Sequence, residues 1–294
     1  MRTRYDLVFG AGVACSCAQV LRRAGLQLLS FPFDWVGPNA RCKAYDEDLL
    51  RRTGHICDDF VHWVELGDFR PRGPNNGDHQ ENGLLDLYND RLELQFIHDF
   101  PRTLPFEQSF PAVLEKYRRR IARFTGLLQT SRRVLVVHLE RPDMPFVTPL
   151  ADFKTARERL SAKYPGARFD FALLYRTTGI PFAQRKVEHP EPWMTTITFD
   201  CKSPDPKAKG HEPDIRALSK ALADIATVRD YRTREEIRRH KAVLLRKRLA
   251  RSGSATLLQH RWKKLKKSIL KRIPRIFRPG SEKIAQAVPE PPQP

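Results

Sequence analysis

The chain has 294 residues, 40% of them hydrophobic and 30% charged, which is enough for one or two domains with a buried core. No segment reaches the roughly 18 apolar residues of a membrane-spanning helix. An odd number of cysteines (five) at irregular spacing argues against a disulfide framework and for reduced thiols in a cytoplasmic protein. The net charge of +19 is uneven, since residues 229–294 hold 20 basic and 5 acidic residues whereas residues 1–228 carry only +4.

The first predicted elements are short. Residues 5–9 form an apolar run that predicts a buried strand. Residues 15–24 predict a helix that Gly25 ends, and residues 26–31 predict a second strand. The sequence FPFDWVGPN at 31–39 predicts a loop rich in aromatic side chains.

Further along, helices and strands alternate. The spacing of apolar residues predicts helices at 46–60, 110–130, 153–163 and 214–226, and strands at 92–100, 133–139, 168–175 and 194–200. This alternation predicts an α/β fold with a mostly parallel central sheet flanked by helices. The predicted domain covers residues 1–228, a basic amphipathic helical extension follows at 229–278, and 279–294 form a disordered tail.

The sequence GAGVAC, from Gly10 to Cys15, allows two interpretations. A dinucleotide fingerprint needs a third glycine or alanine where Cys15 stands, and an acidic residue at the end of the second strand. Neither is present, so no cofactor is predicted.

The second interpretation is a reactive cysteine. At a cysteine in the first turn of a helix, the helix dipole favours the thiolate and lowers the thiol pKa. The alternative is a small buried hydrophobic residue.

Four motifs carry a resemblance to a known family. They are GVACSCAQVLRRAGL (12–26), SFPFDW (30–35), HDF (98–100) and KYRRRIARF (116–124). In this order they resemble a bacterial family known as papain-like cysteine peptidases. The resemblance implies Cys15 as nucleophile and His98 as its base. It also implies a papain-like α+β fold, the alternative to the parallel sheet, in which the cysteine helix packs on an antiparallel sheet.

The remaining site residues follow from the predicted elements. The turn from Gly12 to Cys15 is predicted to stabilise an oxyanion. On an alternating strand, His98 and Asp99 point to opposite faces, so Asp34 is the better candidate to orient the histidine; a turn-capping aspartate is equally consistent. His138 ends the most apolar strand and is a reserve base.

Two hypotheses follow for the domain. The first is a thiol-dependent hydrolase or acyl transferase with no cofactor or metal. The second is a non-catalytic module that binds a glycan or nucleotide through the glycine turn and the aromatic loop at Trp35. For His98 itself, the alternative to a catalytic base is a core histidine on an apolar strand face.

The extension suggests an anionic partner. Residues 255–277 combine an apolar stripe that includes Trp262 and Ile269 with many Lys and Arg. Such a helix suits an anionic membrane surface, which predicts peripheral attachment at the inner face of the membrane. Docking on the chain's own body, a partner protein and nucleic acid are the alternatives.

Overall fold

A computed structural model gives the architecture of the chain. The structure describes residues 2–12, 14–38, 48–71, 78–79, 83–140, 148–175, 180–199 and 212–251. Two compact units are present, Met1–Tyr231 and Arg232–Pro294.

The described ranges contain six α-helices and thirteen strands. The helices are α1 (Ala14–Arg23), α2 (Asp48–Cys57), α3 (Phe106–Thr130), α4 (Leu150–Lys163), α5 (Glu212–Ile225) and α6 (Arg234–Arg251). The strands are β1 (Thr3–Tyr5), β2 (Leu7–Gly10), β3 (Val36–Pro38), β4 (Phe69–Pro71), β5 (Asp78–His79), β6 (Leu84–Leu85), β7 (Leu87–Asn89), β8 (Leu94–Phe96), β9 (Arg133–Leu139), β10 (Arg168–Tyr175), β11 (Lys186–Glu191), β12 (Met194–Thr198) and β13 (Ala226–Val228). The predicted mixture of α and β structure is confirmed.

The largest sheet has five strands in the order β11-β12-β10-β9-β2. Strand β9 pairs in parallel with β2 and β10, and β10 pairs in parallel with β12. Strand β11 is antiparallel to β12 at one edge. Strands β9 and β10 form from the apolar runs RVLVVHL and RFDFALLY, because both faces of this sheet are covered by helices.

The two faces of this sheet have separate cores. On one face, Val20 and Leu21 of α1 and Leu222 of α5 pack against Val8 and Val137. The other face packs against α3 and α4 and continues into a cluster of aromatic side chains, which includes Phe9, Phe31, Phe33, Trp63 and Phe124. Helix α1 therefore begins at the carboxyl end of β2 and lies on the first face.

A second sheet is antiparallel, in the order β3-β8-β7-β4. Val36 of β3 pairs with Phe96 of β8. This pairing brings the segment that follows α1 beside the segment that contains His98, although about sixty residues separate them in sequence.

Two predicted strands differ from the structure. Residues 26–31 form no strand, because Asp34 and Tyr231 side chains accept hydrogen bonds from the backbone N–H groups of Phe31 (3.1 Å) and Leu28 (3.0 Å). The strand predicted at 92–100 is only Leu94–Phe96. Residues 92–93 belong to the β7–β8 hairpin turn, where Glu93 has a φ of 54°.

The second unit contains α6, which begins with a capping box. The Thr233 Oγ1 atom accepts a hydrogen bond from the Glu236 backbone N–H (3.1 Å), and a Glu236 carboxylate oxygen accepts one from the Thr233 N–H (2.9 Å). Residues 255–277, the predicted membrane-binding segment, lie outside the described residues. No helix in the described ranges is both long enough and apolar enough to cross a membrane.

Candidate functional site

The turn before α1 is fixed by close backbone packing. A Cβ atom on Gly12 would lie 2.1 Å from the Leu139 backbone nitrogen of β9, and one on Gly10 would lie 2.7 Å from the Cys17 sulfur. Only glycine fits either position. The two glycines that resemble a nucleotide fingerprint therefore have structural causes: at Gly12 the close approach of the turn to β9, and at Gly10 the packing of Cys17 of α1.

Cys15 is the second residue of α1, and its side chain lies outside the described residues. The helical period places position 15 on the same side of α1 as Arg22, seven residues later, and turns it about 200° around the axis from Cys17. Cys17 is buried against the sheet, with its sulfur 3.7 Å from the Val137 carbonyl oxygen. Burial raises the pKa of the Cys17 thiol to about 12.

His98 lies in a bend after β8, not on a strand. Its ring packs edge to face against Trp35, with 5.4 Å between ring centroids. Trp35 has a φ of 72°, a left-handed conformation that is strained for a bulky residue and is found often at functional sites. The guanidinium of Arg22 lies 5.2 Å from the Trp35 ring centroid. One indole therefore contacts both His98 and the helix that carries Cys15.

Asp34 is 3% exposed. Its Oδ2 atom accepts hydrogen bonds from Arg22 (2.9 Å), the Gln27 side-chain amide (2.7 Å) and the Phe31 backbone N–H (3.1 Å). This geometry is that of an aspartate that caps a turn and holds Arg22. Asp34 contacts Arg22, and Arg22 in turn contacts the indole that packs on His98.

Asp99, next to His98, binds α3. Its carboxylate forms an ion pair with Lys116 and accepts a hydrogen bond from the Tyr117 hydroxyl (2.8 Å). Burial, together with the negative charge of Asp99, raises the pKa of Tyr117 well above its usual value. The strand-based argument about Asp99 does not hold, since neither residue lies in a strand. Asp99 does not orient His98, because its carboxylate binds Lys116 and Tyr117 of α3.

The four sequence motifs are thus joined by side-chain contacts. Arg22 of the first contacts Asp34 of the second, Trp35 of the second contacts His98 of the third, and Asp99 of the third contacts Lys116 of the fourth. Sequence reasoning found the motifs. It missed the role of Arg22 in joining the first motif to the second. A usable signal was present, because Arg22 lies two helical turns after Cys15 on the same face of α1 and is followed by Asp34 in the next motif.

His138 lies at the carboxyl end of β9 and is 1% exposed. Its Nδ1 atom donates to the Ala11 carbonyl oxygen (3.1 Å), while Nε2 lies 3.0 Å from Thr148 Oγ1 and 3.5 Å from a Glu140 carboxylate oxygen. Burial would raise the pKa of Glu140, but hydrogen bonds from His138 and Thr148 and the charge of His138 outweigh it, so the pKa is lowered. Sequence reasoning missed Glu140 and Thr148.

In the ranges that the structure covers, no group of three or more His, Cys, Asp or Glu side chains is arranged to hold a metal ion.

Comparisons with known proteins give one family and one relative. Residues 6–159 match the model of the family described as "Putative papain-like cysteine peptidase". The chain is also 28% identical over 146 residues to Uncharacterized protein R408 of Acanthamoeba polyphaga mimivirus, a match that covers 46% of this chain and 61% of the viral protein. No solved structure matches the chain.

Proposed function

Because the chain belongs to the family described as "Putative papain-like cysteine peptidase", we propose that it is a thiol-dependent hydrolase or acyl transferase. Cys15 is the nucleophile and His98 the base. The observation that carries this proposal is the Trp35 indole, which contacts both His98 and Arg22 of the cysteine helix. The helical period puts position 15 on the same face of α1 as Arg22, which supports this proposal.

The proposed chemistry is acyl transfer in two steps. His98 takes the Cys15 proton, and the thiolate attacks a carbonyl carbon while backbone N–H groups at the start of α1 stabilise the developing oxyanion. The tetrahedral intermediate then collapses: the bond between the acyl carbon and the leaving group breaks, His98 donates the proton to the leaving group, and the acyl group stays bound to the Cys15 sulfur. His98 then takes a proton from water or a second nucleophile, which attacks the acyl carbon. The acyl–sulfur bond breaks, and His98 donates this proton to the Cys15 thiolate as it leaves.

Asp34 acts as a positioning residue in this scheme. It holds Arg22, and Arg22 lies against Trp35, so the carboxylate orients His98 through two intermediate side chains. The rival hypothesis of a non-catalytic glycan- or nucleotide-binding module uses the same turn and the same Trp35. The packing of Gly10 and Gly12 explains these glycines without a bound phosphate.

The test is the alkylation rate of each cysteine by iodoacetamide between pH 5 and 9, measured by peptide mass spectrometry. We expect Cys15 to react first, with a midpoint below the ordinary thiol pKa of about 8.5. His98→Ala should move that midpoint upward, because the thiolate loses its cationic partner.

Two cysteines serve as internal controls in the same digest. Cys17 should stay unmodified until the protein unfolds, since burial raises its pKa to about 12. Cys57 is partly exposed, and burial raises its pKa, so it should react slowly at neutral pH. Equal rates at Cys15 and Cys57, or a Cys15 profile that His98→Ala leaves unchanged, would refute the dyad. A thioester substrate then compares the wild type with Cys15→Ala for turnover.

A further inference from the structure

A cavity of about 560 Å³, lined by neither His98 nor Trp35, lies between residues 59–66 and α3. This volume is within the range of small-molecule sites. Most of the side chains that line it are apolar, with Phe60 and Trp63 on one side and Leu114 and Ile121 of α3 on the other. The interior therefore suits a compact apolar or aromatic group.

The wall formed by residues 59–64 has an unusual backbone. Asp59, Phe60, His62 and Val64 all have φ values between 52° and 63°, where the Cβ atom of an L-residue crowds its own carbonyl oxygen. Valine is especially unfavourable there, because it is β-branched. The conformation turns Phe60, Trp63 and Val64 inward, where all are buried. Backbone strain that is held at a cavity wall is characteristic of ligand sites.

Among the residues that the structure describes, the acids that line the cavity are paired with basic side chains other than Arg118. Asp59 forms an ion pair with Lys163, and Glu65 is paired with His62 and with Arg91. Arg118 also lines the cavity and is exposed, and within the described ranges no hydrogen bond or ion pair engages its guanidinium. Among the described residues that line the cavity, both acids thus have a basic partner, and Arg118 presents its positive charge to the cavity.

We propose that this cavity binds a small organic carboxylate with an aromatic or branched apolar body. The apolar body occupies the space between the Phe60–Trp63 wall and α3, and the carboxylate binds the guanidinium of Arg118, whose planar fork matches two carboxylate oxygens. This site is independent of the proposed thiol chemistry, and its test does not involve Cys15.

The probes are 2-naphthoate and its neutral match, 2-naphthalenemethanol, titrated into the full chain by isothermal calorimetry. We expect the wild type to bind the carboxylate more tightly than the alcohol. Ala122 lines the cavity and is exposed, so Ala122→Trp should fill the space without disturbing the core and weaken both probes at least tenfold. Arg118→Ala should weaken naphthoate by about fivefold, the upper range for an exposed ion pair, and leave the alcohol unchanged.

The matched control is Arg119→Ala. Arg119 is the next residue on α3, it is equally exposed, and it pairs with Glu115 instead of lining the cavity, so this variant should bind naphthoate within twofold of the wild type. Circular dichroism checks that each variant is folded. Absence of millimolar binding by the wild type would overturn the proposal. Binding that Ala122→Trp leaves unchanged would do so too, since it would place the probe outside the cavity. Tighter binding of the alcohol would overturn the carboxylate assignment.

Discussion

His138 shows how burial changes the role of a residue type. The sequence presents it as a base at the end of a strand, but both ring nitrogens are engaged and the side chain is almost fully buried. A hydrogen bond from Nδ1 to the Ala11 carbonyl oxygen joins β9 to the turn that precedes the cysteine helix. We propose that His138 positions this turn, with Glu140 and Thr148 holding the imidazole.

Glu140→Gln should make the stability of the chain less dependent on pH. Because the pKa of Glu140 is lowered in the folded chain, its contribution is complete above its ordinary value of 4.5 and is lost as the pH falls through the lowered folded value. We expect Glu140→Gln to lower the free energy of unfolding by about 2 kcal/mol at pH 7, because a hydrogen bond to a charged group is lost. The difference in unfolding free energy between wild type and variant should shrink as the pH falls. Urea unfolding at pH 7.0, 4.5 and 3.5 measures this; an equal gap at all three values would contradict it.

The sequence predicts the bounds of two strands correctly, and both of these strands are buried on both faces. Strands β9 and β10 lie where they are predicted, at 133–139 and 168–175, because a strand covered on both faces needs a continuous apolar run. The strand predicted at 92–100 is wrong over most of its length. Residues 92–93 lie in a hairpin turn and residues 97–99 in a bend. The apolar side chains of Leu92 and Phe100 are nevertheless buried, so the sequence alternates as it would in a strand.

The junction of β2 with α1 should be intolerant of any side chain at position 12. Gly12→Ala would place a Cβ atom 2.1 Å from the Leu139 nitrogen, so the turn or β9 must move, at a cost of about 3 kcal/mol or more. Gly126→Ala is the control. Nothing lies within 4 Å of a Cβ atom there, and alanine in the interior of α3 should stabilise the chain by about 1 kcal/mol. Thermal unfolding of both variants tests this, and similar effects at the two positions would contradict the packing argument.

For the chain as a whole, the predicted boundary at residue 228 stays a prediction, and a pair of truncations tests it. We expect residues 1–231 to unfold at the temperature of the full chain. Residues 1–228 should be less stable, because Tyr231 accepts a hydrogen bond from the Leu28 N–H, its ring packs 6.1 Å from Phe31, and the Arg229 N–H donates to Tyr5. Differential scanning calorimetry of the three proteins measures this. Equal midpoints for both truncations would mean that residues 229–231 contribute nothing.

The same truncation addresses the basic extension, for which membrane attachment through residues 255–277 remains a proposal. The full chain should sediment with anionic vesicles, and residues 1–231 should not, because most of the positive charge lies beyond residue 228. High salt should release most of the bound protein, since it screens the charges and leaves only the apolar stripe. Trp262→Ser with Ile269→Ser should reduce vesicle binding but not nucleic-acid binding; equal losses would favour another partner.

Much of the organisation could be predicted from the sequence itself. Local patterns determined the cysteine at the start of a helix, the two most apolar strands, the long helix α3 and the basic C-terminal region, because helix period, continuous burial and charge are properties of neighbouring residues. Motif order also identified the family. These signals depend on residues close together in the chain.

Only the tertiary structure decided which distant side chains meet. The β3–β8 pairing brings Trp35 to His98, the binding of Asp99 to Lys116 and Tyr117 attaches the His98 bend to α3, and the packing of Gly12 on Leu139 explains the glycine turn. The hydrogen bond from His138 to the Ala11 carbonyl oxygen is of the same kind. Each contact joins residues that are separated in sequence, and strand register and core packing, which depend on the whole fold, determine whether such residues touch.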